Sequence, residues 1–232
     1  MRKIFLTVIV FLAMVVSASQ LMADDEAAKE LQAKLEAATK EMKREIKSVP
    51  NVDNPGAIKG TVKCSRVRHS GDAIVYIETV GDNKFDPPAE HGVVDQMNLI
   101  FVPHVMAVQK GTTVDFPNSD LVRHNVFSPP DCCNQFNLGT YDVGISKPYT
   151  FNNTCEVPLL CNVHAEMAAY IVVMDNPYFA VTSQDGSFTI DNVPPGNYKL
   201  KTWHEMLKSE LQEVKVEGGK TAEVNFTLKK RK

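Results

Sequence analysis

The stretch LLCNVHAEMAAY, residues 159–170, decides how this chain is interpreted. It places three side chains that can bind metals at spacings of three, namely the thiolate of Cys161, the imidazole of His164 and the thioether of Met167. A loop can turn such side chains toward one point, whereas a strand sends successive side chains to opposite faces. We therefore predict that Cys161 ends a strand and that a tight loop follows it.

Apolar runs on both sides of this loop predict two short strands. VPLL, residues 157–160, precedes the loop, and AAYIVVM, residues 168–174, follows it. Continuous apolar runs of this length are typical of buried strands. Met167 is then expected at the mouth of the second strand.

A single upstream histidine completes a metal-ligand set. His124 lies in the run FPNSDLVRHNVFS, residues 116–128. A buried cysteine or methionine on its own is more often core than ligand. Two imidazoles, one thiolate and one thioether together, however, are the ligands of blue-copper electron-transfer sites, and soft sulfur selects copper over hard cations. The pattern therefore predicts one type 1 copper ion at His124, Cys161, His164 and Met167.

Residues 85–175 resemble the plastocyanin- and amicyanin-like cupredoxins. The resemblance is carried by the short ligand loop and by VQKGTTVDFPNSDLVRHNVFS, residues 108–128. It implies a Greek-key β-sandwich, copper ligands at the same four residues, and a supporting role for Asn125 behind the first histidine. Adjacent Cys132 and Cys133 depart from the family pattern and leave the conformation of their loop open.

The sequence from residue 56 onward predicts only strands. The segments that we assign as β structure are GAIKGTVK (56–63), DAIVYIETV (72–80), FAVTSQDGSFTI (179–190), NVPPGNYKLKTW (192–203), SELQEVKV (209–216) and TAEVNFTL (221–228), with turns at Asp185-Gly186 and Pro195-Gly196-Asn197. In the last segment apolar and polar residues alternate, as in a strand with one buried face.

Residues 178–228 resemble a second family, the transthyretin-like or carboxypeptidase-regulatory-like β-sandwich. The run DGSFTIDNVPPGNYKLKTWHE, residues 185–205, carries the resemblance. The opening strands of that family resemble residues 56–63 and 72–80, which here precede the copper domain. The resemblance implies a cupredoxin inserted after the second strand of this sandwich. Two sandwiches in series, with residues 56–80 as extra cupredoxin strands, is the alternative.

Two further segments are predicted at the N-terminus. Residues 1–23 have the charged start and apolar core of a secretory signal, and that core is shorter than the ~20 residues that cross a bilayer. Residues 24–47 have a helical apolar stripe and form, with a linker, the segment 24–55. We therefore expect a periplasmic or extracellular protein, with membrane contact only through an uncleaved signal anchor.

The complete prediction is an all-β chain with five segments. They are a signal peptide (1–23), an amphipathic helix with a linker (24–55), the first strands of the second sandwich (56–80), the cupredoxin (81–176) and the remainder of the second sandwich (177–232).

Four cysteines remain besides Cys161, which permits two disulfides. A bond between the neighbours Cys132 and Cys133 would be strained. The residues therefore suggest that Cys64 pairs with one of these two and Cys155 with the other, and free thiols are the alternative.

The predicted function is transfer of single electrons between extracytoplasmic redox partners, which would dock on an apolar surface of Pro129, Pro130 and Val163 around His164. The mixed charge pattern suggests no nucleic acid partner. The absence of known catalytic motifs suggests neither an enzyme nor a small-molecule substrate. His104 has no spaced partner, and we interpret it as structural. The alternatives are a copper carrier or storage module without redox turnover and a metal-free β binding module.

Overall fold

The computed structural model describes residues 42–65, 67, 69–81 and 84–230 of the chain. Every regular element in these residues is a β-strand, so the prediction of an all-β fold is confirmed. The predicted signal peptide and residues 24–41 of the predicted helix lie outside the described residues. The part of the chain that the structure describes has no helix that could span a membrane.

Lys43–Lys232 forms one compact unit. Its first three strands are β1 (Glu45–Ile46), β2 (Gly56–Cys64) and β3 (Ile74–Ile77). The strands in the middle of the chain are β4 (Gly92–Val93), β5 (Asp95–Met97), β6 (Ile100–Val102), β7 (Val105–Gln109), β8 (Thr113–Pro117), β9 (His124–Phe127), β10 (Asn137–Tyr141), β11 (Ser146–Thr150), β12 (Glu156–Leu160) and β13 (Ala168–Met174). The last strands are β14 (Phe179–Val181), β15 (Ser187–Val193), β16 (Gly196–Trp203), β17 (Leu207–Lys208), β18 (Gln212–Val216), β19 (Thr221–Glu223) and β20 (Phe226–Lys230).

A six-stranded and a three-stranded sheet form the first sandwich. The strand orders are β1-β7-β13-β12-β9-β10 and β11-β8-β4. A continuous apolar core joins the two sheets, with Met106 and Ile171 from the larger sheet and Val114 and Phe116 from the smaller. Cys161 and Met167 belong to the same core, so two of the predicted ligands lie at its edge.

A four-stranded and a five-stranded sheet form the second sandwich. The larger sheet follows β15-β2-β20-β17, with β19 also on β2, and the smaller follows β14-β3-β16-β18. Strands β2 and β3 therefore lie among the C-terminal strands; Val62, for example, pairs with Phe226, and Val75 with Thr202. This pairing is the one required if the first sandwich is inserted between strands of the second. The exact domain boundaries stay a prediction.

The six-stranded and four-stranded sheets pack against each other across a third apolar cluster. Its buried members are Ile74, Val105, Ala107, Val172, Met174, Phe179, Val181 and Trp203. Alternate residues of β7 and β13 thus face either this cluster or the first core. Because both faces of these strands are buried, their sequences are continuous apolar runs rather than alternating ones. The run AAYIVVM is such a strand, and its predicted limits are confirmed.

The predicted helix does not extend to Lys47. Glu45–Ile46 is instead strand β1, which runs parallel to β7, and the side chain of Ile46 is buried in the first core. The side chain of Lys47 donates to the carbonyl of Phe179, and Arg44 forms an ion pair with Asp72. Burial of Ile46 and pairing with β7 therefore prevail over the helical spacing of the apolar residues.

The last predicted strand is split into β19 and β20. The side-chain oxygen of Asn225 accepts hydrogen bonds from both the amide and the hydroxyl of Thr61, at 2.8 Å each. The opposite residue, Gly60, approaches so closely that a Cβ would lie 1.7 Å from the carbonyl oxygen of Val224. Only glycine fits at position 60. At the break between β19 and β20, the side chain of Asn225 takes the place of a backbone acceptor for the amide of Thr61.

Of the two disulfides suggested from the sequence, the one between Cys155 and a member of the Cys132–Cys133 pair is confirmed, and the one that involves Cys64 is wrong. Cys133 forms a disulfide with Cys155, whereas Cys64, Cys132 and Cys161 are free. The suggested disulfide of Cys64 is wrong because this residue ends β2 and packs in the core of the second sandwich. The other sulfurs lie in the first sandwich.

Candidate metal centre

Two adjacent strands bring the candidate ligands together. His124 is the first residue of β9, and Cys161 follows the last residue of β12. These strands are antiparallel neighbours, with Leu160 opposite Phe127. The chain then leaves the sheet for residues 161–167 before β13 begins, as the spacing of the ligands predicts.

Three donor atoms converge at this end of the sandwich. Nδ1 of His124 lies 3.1 Å from Nδ1 of His164 and 4.0 Å from Sγ of Cys161. Any two of the three donor atoms are within 4.8 Å of each other. His124 and Cys161 are buried, whereas His164 is partly exposed.

The spacing of these atoms fits one transition-metal ion. Nitrogen and sulfur ligands lie about 2.0–2.3 Å from such an ion, which places neighbouring ligand atoms about 3–4 Å apart. Two imidazoles and a thiolate, with a thioether nearby, are a donor set suited to copper. The residues present therefore fit the ion that the sequence pattern indicates.

Met167 follows His164 by three residues and ends the ligand loop. Its backbone amide donates to the carbonyl of His164 at 3.1 Å, which closes the loop, and its side chain is buried in the core to which Cys161 also belongs. Coordination by the thioether of Met167 stays a prediction.

Asn125 contacts the candidate site through its backbone. Its amide donates to Sγ of Cys161 at 3.5 Å, a contact that stabilises a thiolate. Its side-chain nitrogen donates to Asn137 at 2.9 Å, while Oδ1 is buried without a hydrogen-bond partner among the described residues. The supporting role predicted for Asn125 thus has a contact that could carry it, although the role itself stays a prediction.

Asp120 is the residue that sequence reasoning missed. Its Oδ2 lies 2.9 Å from Nε2 of His124, on the ring edge opposite the converging donor atoms. A carboxylate acceptor there requires Nε2 to carry a proton, which leaves Nδ1 of a neutral imidazole free to bind a metal. The structure therefore selects the tautomer of His124 that the candidate site needs.

Three N–H groups hold the carboxylate of Asp120 in place. The amide of Leu99 and the ring of His124 donate to Oδ2, and the amide of Leu121 donates to Oδ1 at 2.8 Å. Burial opposes ionisation of this carboxyl, but the hydrogen bonds outweigh it and hold the pKa of Asp120 below its usual range. Asp120 is accordingly a carboxylate at neutral pH.

The turn before His124 is fixed by Asn118. Its Oδ1 accepts from the amide of Asp120 at 3.1 Å, and its Nδ2 donates to the carbonyl of Val122 at 2.9 Å. Asparagine and aspartate side chains commonly close such turns by bonding to the backbone two residues on. The letters NSD before His124 are thus the sequence signal for this arrangement.

Buried side chains support the turn from behind. Nε2 of Gln96 donates to the hydroxyl of Tyr141 at 2.5 Å, and that hydroxyl donates to the carbonyl of Phe116 at 2.9 Å. Burial raises the pKa of Tyr141 to about 12, although the bond from Gln96 works in the opposite direction. The hydroxyl therefore stays neutral, and Tyr141, which pairs with His124 in the sheet, holds that strand in place.

Exposed aliphatic side chains surround the candidate site. They lie on the β5–β6 turn, the loop before His124, the β10–β11 turn and the ligand loop. We call them the apolar rim, and they are Leu99, Ile100, Leu121, Val122, Val143, Ile145 and Val163. Leu121 is the most exposed of them, at 90%.

Of the three residues predicted for the docking surface, Val163 lies next to His164 and is exposed, whereas Pro129 and Pro130 lie away from the converging donor atoms, and docking itself stays a prediction. Pro129 and Pro130 follow the opposite end of β9 from His124, toward Cys132 and the disulfide. His104 also lies outside the group of converging donors: it contacts Glu205 at 3.4 Å and the ring of Tyr170. These contacts suit the structural role that we predicted for it.

A family model, the carboxypeptidase regulatory-like domain, matches residues 167–229. The match confirms the predicted resemblance of the C-terminal strands to the carboxypeptidase-regulatory-like β-sandwich. It begins at Met167, however, and so includes β13, whose hydrogen-bonded neighbours are strands of the first sandwich. In the structure, β2 and β3 complete the second sandwich instead. No curated protein matches the chain.

Several solved structures are similar to part of the chain. A copper-containing nitrite reductase from Thermus scotoductus is 25% identical over 42% of this chain, which spans only 25% of that enzyme, at a TM-score of 0.35. A purple cupredoxin from Nitrosopumilus maritimus is 20% identical over 35% of this chain and 98% of its own, at a TM-score of 0.32. A reduced amicyanin variant is 20% identical over 43% of this chain and 98% of its own, at a TM-score of 0.35. Likenesses at these TM-scores carry no weight for the function of this chain.

Proposed function

We propose that the first sandwich binds one copper ion in a type 1 site and carries single electrons between extracytoplasmic redox partners. The ligands in this proposal are His124, Cys161, His164 and Met167, with Asn125 supporting the thiolate. The observation that supports it is the convergence of two imidazole nitrogens and a thiolate sulfur at separations of 3.1 and 4.0 Å. When bound there, copper would supply the one-electron redox chemistry.

The protein contributes a rigid ligand frame. His124 is held on one side by Asp120 and in the sheet by its pairing with Tyr141. Cys161 extends from β12, which has a hydrogen-bonded strand on each side. Ligands fixed in this way need little rearrangement when the charge of the ion changes, which favours electron transfer over catalysis.

The partly exposed His164 offers the route by which electrons would enter and leave. It lies within the apolar rim, to which Val163 belongs. Exposed apolar surface framed by polar residues is typical of sites that dock other proteins. We therefore place the docking surface for redox partners at this rim, without Pro129 and Pro130.

An extracytoplasmic location is also part of the proposal. Residues 1–23 have the composition of a secretory signal. The disulfide between Cys133 and Cys155 supports the same location, since disulfides persist mainly outside the cytoplasm.

Copper titration tests the site. Addition of copper(II) to the purified chain should produce an intense blue or green thiolate-to-copper absorption with one ion per chain, and Cys161→Ser should abolish it. Cys64→Ser is the matched control, because Cys64 is a free buried cysteine of the second sandwich. A colourless product, or colour that survives in Cys161→Ser, would overturn the copper assignment.

Redox measurements separate the carrier from the storage alternative. A carrier should be reduced and reoxidised reversibly with the ion retained, and it should pass electrons rapidly between two copies of the chain. A storage or delivery module would instead lose the ion readily to a chelator in one oxidation state. Loss of this kind during redox cycling would favour the second function.

A further inference from the structure

A second cluster of soft ligands lies at the opposite end of β12 from Cys161. Cys155 directly precedes this strand, and Cys132 and Cys133 lie in the loop between β9 and β10. We call these residues the three-sulfur cluster. The disulfide joins Cys133 to Cys155, and Sγ of the free Cys132 lies 3.9 Å from Sγ of Cys133. The three sulfurs are all within 4.8 Å of one another.

We propose that reduction of this disulfide opens a three-thiolate site for copper(I), distinct from the site at Cys161. A dithiol reductant would transfer two electrons to the Cys133–Cys155 bond, form its own disulfide and leave two thiols. With Cys132 these give three thiol groups, which release their protons as copper(I) binds. A disulfide oxidant would take the two electrons back as it is reduced to thiols, re-form the Cys133–Cys155 bond and leave only Cys132 as a free ligand.

The spacing of the sulfurs suits such an ion. Thiolate sulfur binds at about 2.3 Å, so three sulfurs in a plane around one ion lie about 4 Å apart. The distance between Cys132 and Cys133 already has this value. Reduction would let Cys155 move away from Cys133 to a similar separation.

The donor set favours copper(I) over zinc. Structural zinc sites are nearly always four-coordinate. Among the described residues, no further histidine, cysteine or carboxylate joins the three-sulfur cluster. Thiolates bind copper(I), zinc and iron–sulfur clusters, and a set limited to three of them leaves zinc one ligand short but suits a soft copper(I) ion.

Side-chain amides hold the loops of the cluster independently of the disulfide. The buried Asn134 donates through Nδ2 to the carbonyl of Asn153 at 2.7 Å and accepts through Oδ1 from the amide of Asn153 at 3.1 Å. Asn153 in turn donates to the carbonyl of Cys133 at 2.8 Å. These bonds would keep the loops together after reduction.

Asn134 also points a donor at the sulfurs. Its Nδ2 lies 3.1 Å from Sγ of Cys155, a contact that would stabilise a thiolate in the reduced protein. Cys133 is exposed and Cys132 is partly exposed, so an ion could reach the cluster from solvent. The cluster therefore combines accessible ligands with a fixed frame.

The test uses the full chain with Cys161→Ser and His164→Ala, which removes two of the four ligands of the first site and so separates the outcome from that site. The protein is reduced with a dithiol, freed of reductant under anaerobic conditions and titrated with copper(I) against a coloured chelator. We expect one ion per reduced chain and none per oxidised chain. X-ray absorption should show three sulfur neighbours at one distance.

Paired variants identify the ligands. Adding Cys132→Ser should weaken copper(I) binding at least tenfold, whereas adding Cys64→Ser should leave it unchanged, since Cys64 lies in the other sandwich. Circular dichroism of the reduced variants would establish that they remain folded. Failure of the reduced chain to compete with the chelator, or equal affinity with and without Cys132, would overturn the proposal, as would tighter binding of zinc than of copper(I).

Discussion

The carboxylate of Asp120 should lower the reduction potential of a bound copper ion. Its Oδ2 lies 2.9 Å from Nε2 of His124. Adding the width of the imidazole ring and one metal–nitrogen bond places the negative charge about 7 Å from the ion. At an effective dielectric constant of about 20, a unit charge at that distance is worth about 2.4 kcal/mol. Asp120→Asn removes the charge and should therefore favour copper(I).

The expected shift is large enough to measure. For a one-electron couple a tenfold change in the equilibrium is about 59 mV, so removal of the charge should raise the potential by about 100 mV. Voltammetry or spectroelectrochemical titration would measure it. Asp120→Ala also removes the hydrogen bond to His124, and we expect it to weaken copper binding about 10- to 100-fold.

Asp142→Asn is the matched control. Asp142 also lies near this end of the sandwich, but it is 72% exposed and paired with Arg123 at 2.7 Å. Exposed, paired charges are screened by solvent and salt, so its removal should shift the potential much less. A shift in Asp120→Asn no larger than in this control, or a shift to lower potential, would refute the electrostatic argument. Nitrogen NMR of the metal-free protein gives an independent check, since His124 should be protonated at Nε2 in the wild type and lose this preference in Asp120→Ala.

Three further predictions concern stability. Ile46→Ala should lower the free energy of unfolding of the first sandwich by about 2–5 kcal/mol in urea titrations, because Ile46 is 2% exposed in its core; an effect below 1 kcal/mol would mean that β1 contributes little. Trp203→Phe should cost about 1–3 kcal/mol by removing the indole donor 2.5 Å from the carboxylate of Glu156, whereas a neutral result would argue against that bond. Burial lowers the pKa of His204 in the folded protein. As the pH falls below about 6.5, the unfolded chain therefore binds a proton at His204 before the folded protein does. The free energy of unfolding should consequently decrease between pH 7 and 5. His204→Asn should flatten this decrease, and an unchanged slope would show that other groups cause it.

The strands and the loop of residues 161–167 could be predicted because their signals are local. The spacing of Cys161, His164 and Met167 places the three within one loop, and the apolar run before Asp175 is typical of a buried strand. The same is true of the alternation in the last strand, which survives the break at Asn225. Each of these signals depends on residues close together in the sequence.

Features that depend on distant contacts could not be predicted in the same way. Ile46 fits a helical stripe as well as a two-residue strand, and only the presence of β7 decides between them. The sequence narrows the partner of Cys155 to Cys132 or Cys133, but the choice between them, and the absence of a disulfide at Cys64, depend on which loops meet in the folded sheet. The contact of Asp120 with His124 requires a turn that is fixed in part by the amide of Leu99, from a separate hairpin.

The pairing of β2 with β20 has a consequence for the folding of the chain during its synthesis on the ribosome. Thr61 meets Asn225, which follows it by 164 residues. At ~5–20 residues per second, roughly 10–30 s pass between the emergence of the two strands. During that interval the first sandwich can fold, whereas the second sandwich still lacks its last strands. The open edges of its sheets are sites for mispairing with other chains. Rapid and independent folding of the first sandwich is therefore a condition for correct pairing of the strands in the second sandwich.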